Sequence, residues 1–188
     1  MTDGPNSTSS VDSSVDSSPA WLSPDQLRAW VTMAAFLETV PSAIDNQLKR
    51  DTGVNRFEYT MLAMLSEDPD HTLVMSDLAS VAFGSLSRLS HAASRLEQRG
   101  WVERCAGSGG RRHNVVRLTD EGHAALVEAA PGHVAEVRRV VVDPLDDHEL
   151  ATLRSLLAKM ISAADPELGA VLDDLVENVA ARNAAADG

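Results

Sequence analysis

The sequence predicts a mainly α-helical fold with one small β-hairpin, and three observations carry that expectation. Aromatic residues are scarce, with three Trp, one Tyr and three Phe in 188 residues, while Ala, Leu and Val are plentiful. That balance favours packed helices over a β-sandwich. Most of the chain repeats apolar residues at helical spacing behind recognisable caps. Only residues 101–118 change to short β-type runs, "WVERC" and "NVVRLT", around a glycine-rich turn.

Residues 1–20 repeat "VDSS" and hold too few large apolar side chains to offset the entropy of ordering, so a disordered Ser/Asp-rich tail is expected. At "WLSPDQLRAW", Ser23 caps a helix, Pro24 takes its first position and Gln26 completes a capping box. Leu27, Trp30, Val31, Ala34, Leu37, Ile44 and Leu48 form its stripe, with a kink expected at Pro41. Asn55 and Glu58 cap and box a second helix that ends before the loop "EDPDHT".

Two short helices follow, 76–82 with Ser76 as N-cap and 86–99 with Ser85 as N-cap and Gly100 beyond its end. The tight turn Phe83-Gly84 between them gives helix-turn-helix spacing. The hairpin after Gly100 is then a wing that must lean on these helices, because two strands alone are marginal. Thr119 caps a helix expected to bend near Pro131, Asp146 and Glu149 cap and box the next, and a last helix is expected after Asp165-Pro166. The domain reading is a tail at 1–20, a dimerisation helix at 21–54 and a winged helix-turn-helix lobe at 55–119. Dimerisation helices at 120–164 and a C-terminal helix with a frayed end at 165–188 complete it.

The formal net charge is -12, yet residues 88–117 carry Arg88, Arg95, Arg99, Arg104, Arg111, Arg112 and Arg117 against Glu97 and Glu103. This segment is +5, so the remainder is -17. Phosphates respond to the local field, screened over about 8 Å at physiological salt, and not to the whole-chain charge. On a wheel of about 100° per residue, Leu86, Leu89, Ala93 and Leu96 gather on one side of the helix 86–99. Arg88, His91 and Arg95 gather on the other, and Ser85, Ser87 and Ser90 flank its N-terminal end. Small hydroxyl donors and a positive helix end suit close approach to a phosphate, and the cationic face suits a major groove.

Taken alone, Arg88 and Arg95 would be an ordinary solvated helix face. Arg111 and Arg112 on the glycine-rich tip "AGSGGRRH" change the balance, because no structural need places two adjacent arginines there. Such a tip fits a minor groove or its phosphates. Arg99, Arg104 and Arg117 are expected to be supporting charge.

These residues resemble the MarR (multiple-antibiotic-resistance regulator) family of winged helix-turn-helix transcription factors over about residues 25–163. The likeness is carried by Leu78-Ala79, by "SRLSHAASRLEQRGWVER", and by "RRHNVVRLTDEG" with its Leu-Thr-x-Glu-Gly run. "SRLSH" and "AAPGHVAEVR" further resemble a branch common in actinobacteria. The resemblance implies a homodimeric regulator of transcription, a repressor on a pseudo-palindromic operator, with Arg112 as the wing contact to double-stranded DNA and Arg111 beside it. The family wing usually reads Asp-x-Arg; here Gly110 replaces the acid, so nothing orients the wing arginine in that way.

The resemblance also implies a small-molecule effector held between the dimerisation helices and the DNA-binding lobe. Trp30, Phe36, Phe57 and Tyr59 are placed to line such a cleft, although core packing is the expectation for most of them, and no ligand residues are assigned. The bottom-up reading also asks for a homodimer, since the helices outside the lobe present more apolar stripe than the lobe can cover. For the last helix, a flap within its own subunit competes equally with interlocking across a dimer.

No metal or cofactor is expected: His71, His91, His113, His123, His133 and His148 include no i,i+3 or i,i+4 pair. Cys105 cannot form an internal disulfide, and at the wing base it reads as a structural thiol. No nucleophile elbow or phosphate loop is present, and "SHAAS" lacks an orienting acid, so an enzyme is not expected. The N-terminus has no signal-peptide character and no stretch approaches the ~20 apolar residues of a membrane span, which predicts a cytoplasmic protein without a membrane partner. The alternative function is a winged-helix protein-interaction module that does not bind DNA.

Overall fold

The computed structural model describes residues 20–81, 85–106, 114–172 and 176. The chain divides into two compact units, Met1–Phe36 and Leu37–Gly188. In the first, Ser23 and Gln26 form the expected box: Gln26 N donates to Ser23 Oγ at 3.3 Å and Ser23 N to Gln26 Oε1 at 2.8 Å. They open α1, Pro24–Thr52, whose helical state continues through Pro41. Trp21, Leu22, Leu27, Trp30 and Val31 are all at least half exposed. Trp30 is thus half exposed, while Phe57 is buried as expected for most of the aromatics.

In the second unit, α2 (Arg56–Glu67) begins at the Asn55–Glu58 capping box read from the sequence. The Arg56 N–H also donates to Asp45 Oδ1 at 2.8 Å, which fixes the angle between the end of α1 and the start of α2. Beyond Asp68 the chain forms a strand that the sequence does not announce, β1 (Thr72–Val74). It leads directly into α3 (Met75–Val81), so Ser76 lies inside that helix instead of capping it. α4 (Leu86–Gln98) has Ser85 as N-cap and is followed by Gly100 in the left-handed region, φ 74. The turn at Phe83-Gly84 lies outside the described residues.

The hairpin becomes part of a three-stranded antiparallel sheet of order β1-β3-β2, with β2 at Val102–Ala106 and β3 at Asn114–Leu118. Val116 on the central strand faces Leu73 on one side and Arg104 on the other, and is fully buried. The third strand supplies the support that a lone hairpin lacks. Met61, Leu62, Leu65, Leu78, Leu89, Leu96, Val102 and Val116 form one core beneath these elements. Each such large side chain contributes about 1.5–3 kcal/mol of burial.

Thr119 caps α5 (Asp120–Val137), which passes through Pro131 and continues as a π-helical turn at Arg138–Val142. α6 (Asp147–Ala164) starts at the Asp146–Glu149 box, and residues 166–172 are again helical. That last segment packs on its own α6: a Cβ built at Gly169 would stand 2.5 Å from Ser162 Oγ. Among the described residues, no helix is long and apolar enough to cross a membrane.

Candidate nucleic-acid interface

α4 divides sharply by exposure. Leu89, Ala92, Ala93 and Leu96 are completely buried, while Ser85, Leu86, Ser87, Arg88, His91 and Arg95 are exposed and Ser90 is half-buried. Leu86 is a correction to the expected anchoring side, since it is 57% exposed. Ala92 belongs to the buried face, which shifts that face's centre and leaves Leu86 roughly 70° from it on the wheel. At the N-terminus, Ser85 Oγ accepts the Arg88 N–H at 3.2 Å, so this oxygen serves the cap while its O–H can still donate. Backbone N–H groups of the first turn remain as the positive helix end.

Both cations of the exposed face are steered by α2. The Arg88 guanidinium carbon lies 4.3 Å from the centroid of Phe57, a ring only 6% exposed. Arg95 Nε donates to Glu58 Oε1. Glu58 is 5% exposed, and its other oxygen accepts the Asn55 N–H at 3.0 Å. A carboxylate at that depth requires such partners, because an unpaired buried charge is strongly destabilising. Sequence inspection had put Arg95 simply outward; it is half-exposed and ion-paired at once.

The three arginines expected to support the segment have structural partners. Arg99 donates to Gly53 O at 2.7 Å and Thr52 O at 3.3 Å, closing the carboxyl end of α1, and stacks 4.9 Å from the Trp101 ring centroid. Arg104 on β2 reaches Ser90 O at 2.8 Å and Ser94 Oγ at 2.9 Å, tying the wing base to α4. Arg117 pairs with Glu103 directly across β3 and β2, and that hydrogen bond raises its already high pKa. Arg111 and Arg112 lie outside the described residues.

Three further features join α5 to the lobe. The His133 and Tyr59 rings are 4.3 Å apart at 45°. Burial pushes the His133 pKa down and the Tyr59 pKa up, and among the described residues His133 Nδ1 has no hydrogen-bond partner. At the start of α5, Trp101 O accepts the Thr119 N–H at 3.1 Å and faces Gly122 closely. His71 and His123 come together with ring centroids 5.8 Å apart, a pairing that sequence spacing did not reveal. Among the described residues, they belong to no group of three or more His, Cys, Asp or Glu side chains arranged to hold a metal. Cys105 is free and half-buried on β2.

No family model matches the chain. It is similar to solved structures from Streptomyces coelicolor: Sco3205, a MarR family regulator in complex with DNA, at 34% identity and TM-score 0.76 over 80% of this chain and 94% of that one. AbsC, also a MarR family regulator, gives 31% identity and TM-score 0.74 over 78% and 98%. The chain belongs to the MarR family of transcriptional regulators. Among curated MarR relatives, it is 30% identical to the transcriptional repressor MprA of Escherichia coli over 86 residues, 46% of this chain and 49% of MprA. It is 32% identical to the regulator PecS of Dickeya dadantii over 104 residues, 55% of this chain and 62% of PecS. The chain thus spans about half to three-fifths of the curated relatives' length. These relatives are transcriptional regulators and not enzymes.

Proposed function

We propose that this protein is a homodimeric, DNA-binding repressor of transcription that recognises a pseudo-palindromic operator. The observation that carries the reading is α4 itself: four apolar residues fully buried on one side, and Ser87, Arg88, His91 and Arg95 exposed on the other. In this reading the exposed face enters a major groove, Ser85, Ser87 and Ser90 approach the phosphates beside the helix N-terminus, and Arg111 and Arg112 carry the wing contact. The DNA complex of Sco3205 supports it by similarity.

Apolar surface left open by the single chain supports a second copy. Residues Trp21, Leu27, Trp30 and Val31 are exposed in the first unit. In the second, Leu150, Leu153, Leu157, Ile161 and Leu172 line an open apolar groove of about 350 Å³. Helix from 120 to 142 spans roughly 34 Å at about 1.5 Å per residue, near one turn of DNA. The domain roles follow: residues 21–54 and 120–164 set the spacing of two lobes formed by residues 55–119.

A small-molecule effector then regulates by binding one lobe spacing better than another, since only differential affinity shifts such an equilibrium. A cleft of about 380 Å³ bounded by Gln47, Asp51, Trp101, Ala129 and Gly132 has the size of a ligand pocket. Selection of genomic fragments by the purified full chain, repeated across salt concentrations, tests the function. Enrichment of inverted-repeat sites with steep salt weakening is expected, and retention of no fragment at any salt contradicts it.

A further inference from the structure

We infer that Glu58 is a positioning residue for DNA binding, whose carboxylate fixes Arg95 so that the outer edge of its guanidinium meets a backbone phosphate. The inference rests on the DNA-binding reading above and assigns Arg95 to the phosphate backbone instead of a base edge. Among the described residues of the lobe, Glu58 is the deepest charged group, with its side chain 6% exposed against 52% for Arg95. One of its oxygens is consumed by the Asn55 N–H and the other by Arg95 Nε. The bond is made through Nε, at one edge of the planar fork. Among the described residues, Arg95 has no second acceptor.

Arg95 borders a depression of about 190 Å³ that is also lined by Lys49, Asn55, Glu58 and Arg99. Lys49 is paired at 2.6 Å with Asp45, and Arg99 is held by the carbonyls of Thr52 and Gly53, so both are fixed cations and not wandering ones. Two arginines and a lysine lining one concavity suit a phosphodiester oxygen. Arginine presents its donors as a planar fork, and a fork held at one edge loses less freedom on binding. The opposite outcome is physically real: a buried carboxylate could instead hold Arg95 away from DNA. The two predict effects of opposite sign.

Glu58→Gln separates them, because glutamine still serves the capping box but no longer carries the charge that anchors Arg95. Affinity is measured with the full chain on a duplex selected from a random library and on an unselected duplex of equal length. Positioning predicts about tenfold weaker binding to both, with the log-log salt slope reduced by about 0.9, the value of one lost phosphate contact. Glu58→Gln combined with Arg95→Gln is then no weaker than Arg95→Gln alone. Arg95→Lys, which keeps charge without the fork, weakens binding severalfold and supplies the test if Glu58→Gln does not fold. Unchanged or tighter binding by Glu58→Gln, additive losses in the double variant, or full affinity in Arg95→Lys each overturn the inference while the DNA-binding reading stands. If the unsubstituted protein binds neither duplex, that reading fails and the inference with it.

Discussion

Gly122→Ala is the substitution that the structure penalises most clearly. A Cβ built at Gly122 stands 2.0 Å from Trp101 O, 2.8 Å from Trp101 C and 2.9 Å from Leu118 Cδ1. Ordinary carbon–oxygen contact is beyond about 3.3 Å, so more than ~1 Å of backbone movement is needed. The carbonyl cannot retreat freely, because it accepts the Thr119 N–H that starts α5, and Thr119 Oγ1 in turn accepts the Gly122 N–H. Backbone pressing on backbone places the cost at the upper end for overpacking, about 3 kcal/mol. For a chain of this size that lowers Tm by about 6–12 °C.

Gly100→Ala is the internal comparison. Nothing lies within 4 Å of its built Cβ, and only φ 74 opposes the substitution. Its cost is about 1 kcal/mol, or roughly 2–4 °C. Thermal melts followed by circular dichroism distinguish the two. A Gly122→Ala protein melting within about 3 °C of its parent would refute the close packing of α5 on the wing base.

Two other outcomes follow from named contacts. His133 has a pKa lowered by burial, so the unfolded chain binds more protons than the folded one as pH falls through the ordinary histidine range, about 6.5. The stability it contributes is present above that range and lost below it; His133→Gln should show a smaller fall in Tm between pH 8 and pH 5, and an unchanged fall would exclude His133 as the source. Arg104→Met removes the hydrogen bonds to Ser90 and Ser94 and is expected to cost about 1 kcal/mol in urea unfolding. Because its guanidinium is engaged on α4, the salt slope of DNA binding should stay as in the parent, and a slope lowered by about one would reassign Arg104 to a phosphate.

What could be read from the sequence was chiefly local. Asn55, Ser85, Thr119 and Asp146 cap helices within three residues of the groups they satisfy, so their signals are contained in short stretches. β1 was missed because three residues carry no usable periodicity, and Thr72–Val74 is a strand only through pairing with Arg117, Val116 and Val115, over forty positions away. The same distance problem hid the arginine partners. Phe57 beneath Arg88 and Glu58 on Arg95 are consequences of tertiary packing, although Glu58 was already visible as half of a capping box.

Ser76 was misassigned because β1 runs straight into α3, leaving no loop residue to act as a separate cap. The apolar stripe of α4 was legible in Leu89, Ala93 and Leu96, but including Leu86 required knowing where the lobe ends. The excess of apolar surface was legible too, and it appears as the exposed Trp30, Leu156 and Met160 of the single chain.

The central claim is that one basic stretch of an acidic chain engages DNA phosphates. Its most direct test is the affinity of the full protein for its selected operator as a function of salt, with Arg88→Ala and Arg112→Ala in parallel. Affinity should fall steeply and linearly on a log-log plot, with a slope of about -0.9 for each phosphate engaged, and each substitution should remove retention at physiological salt. Binding that ignores salt, or that neither substitution changes, would contradict the assignment of this face to DNA.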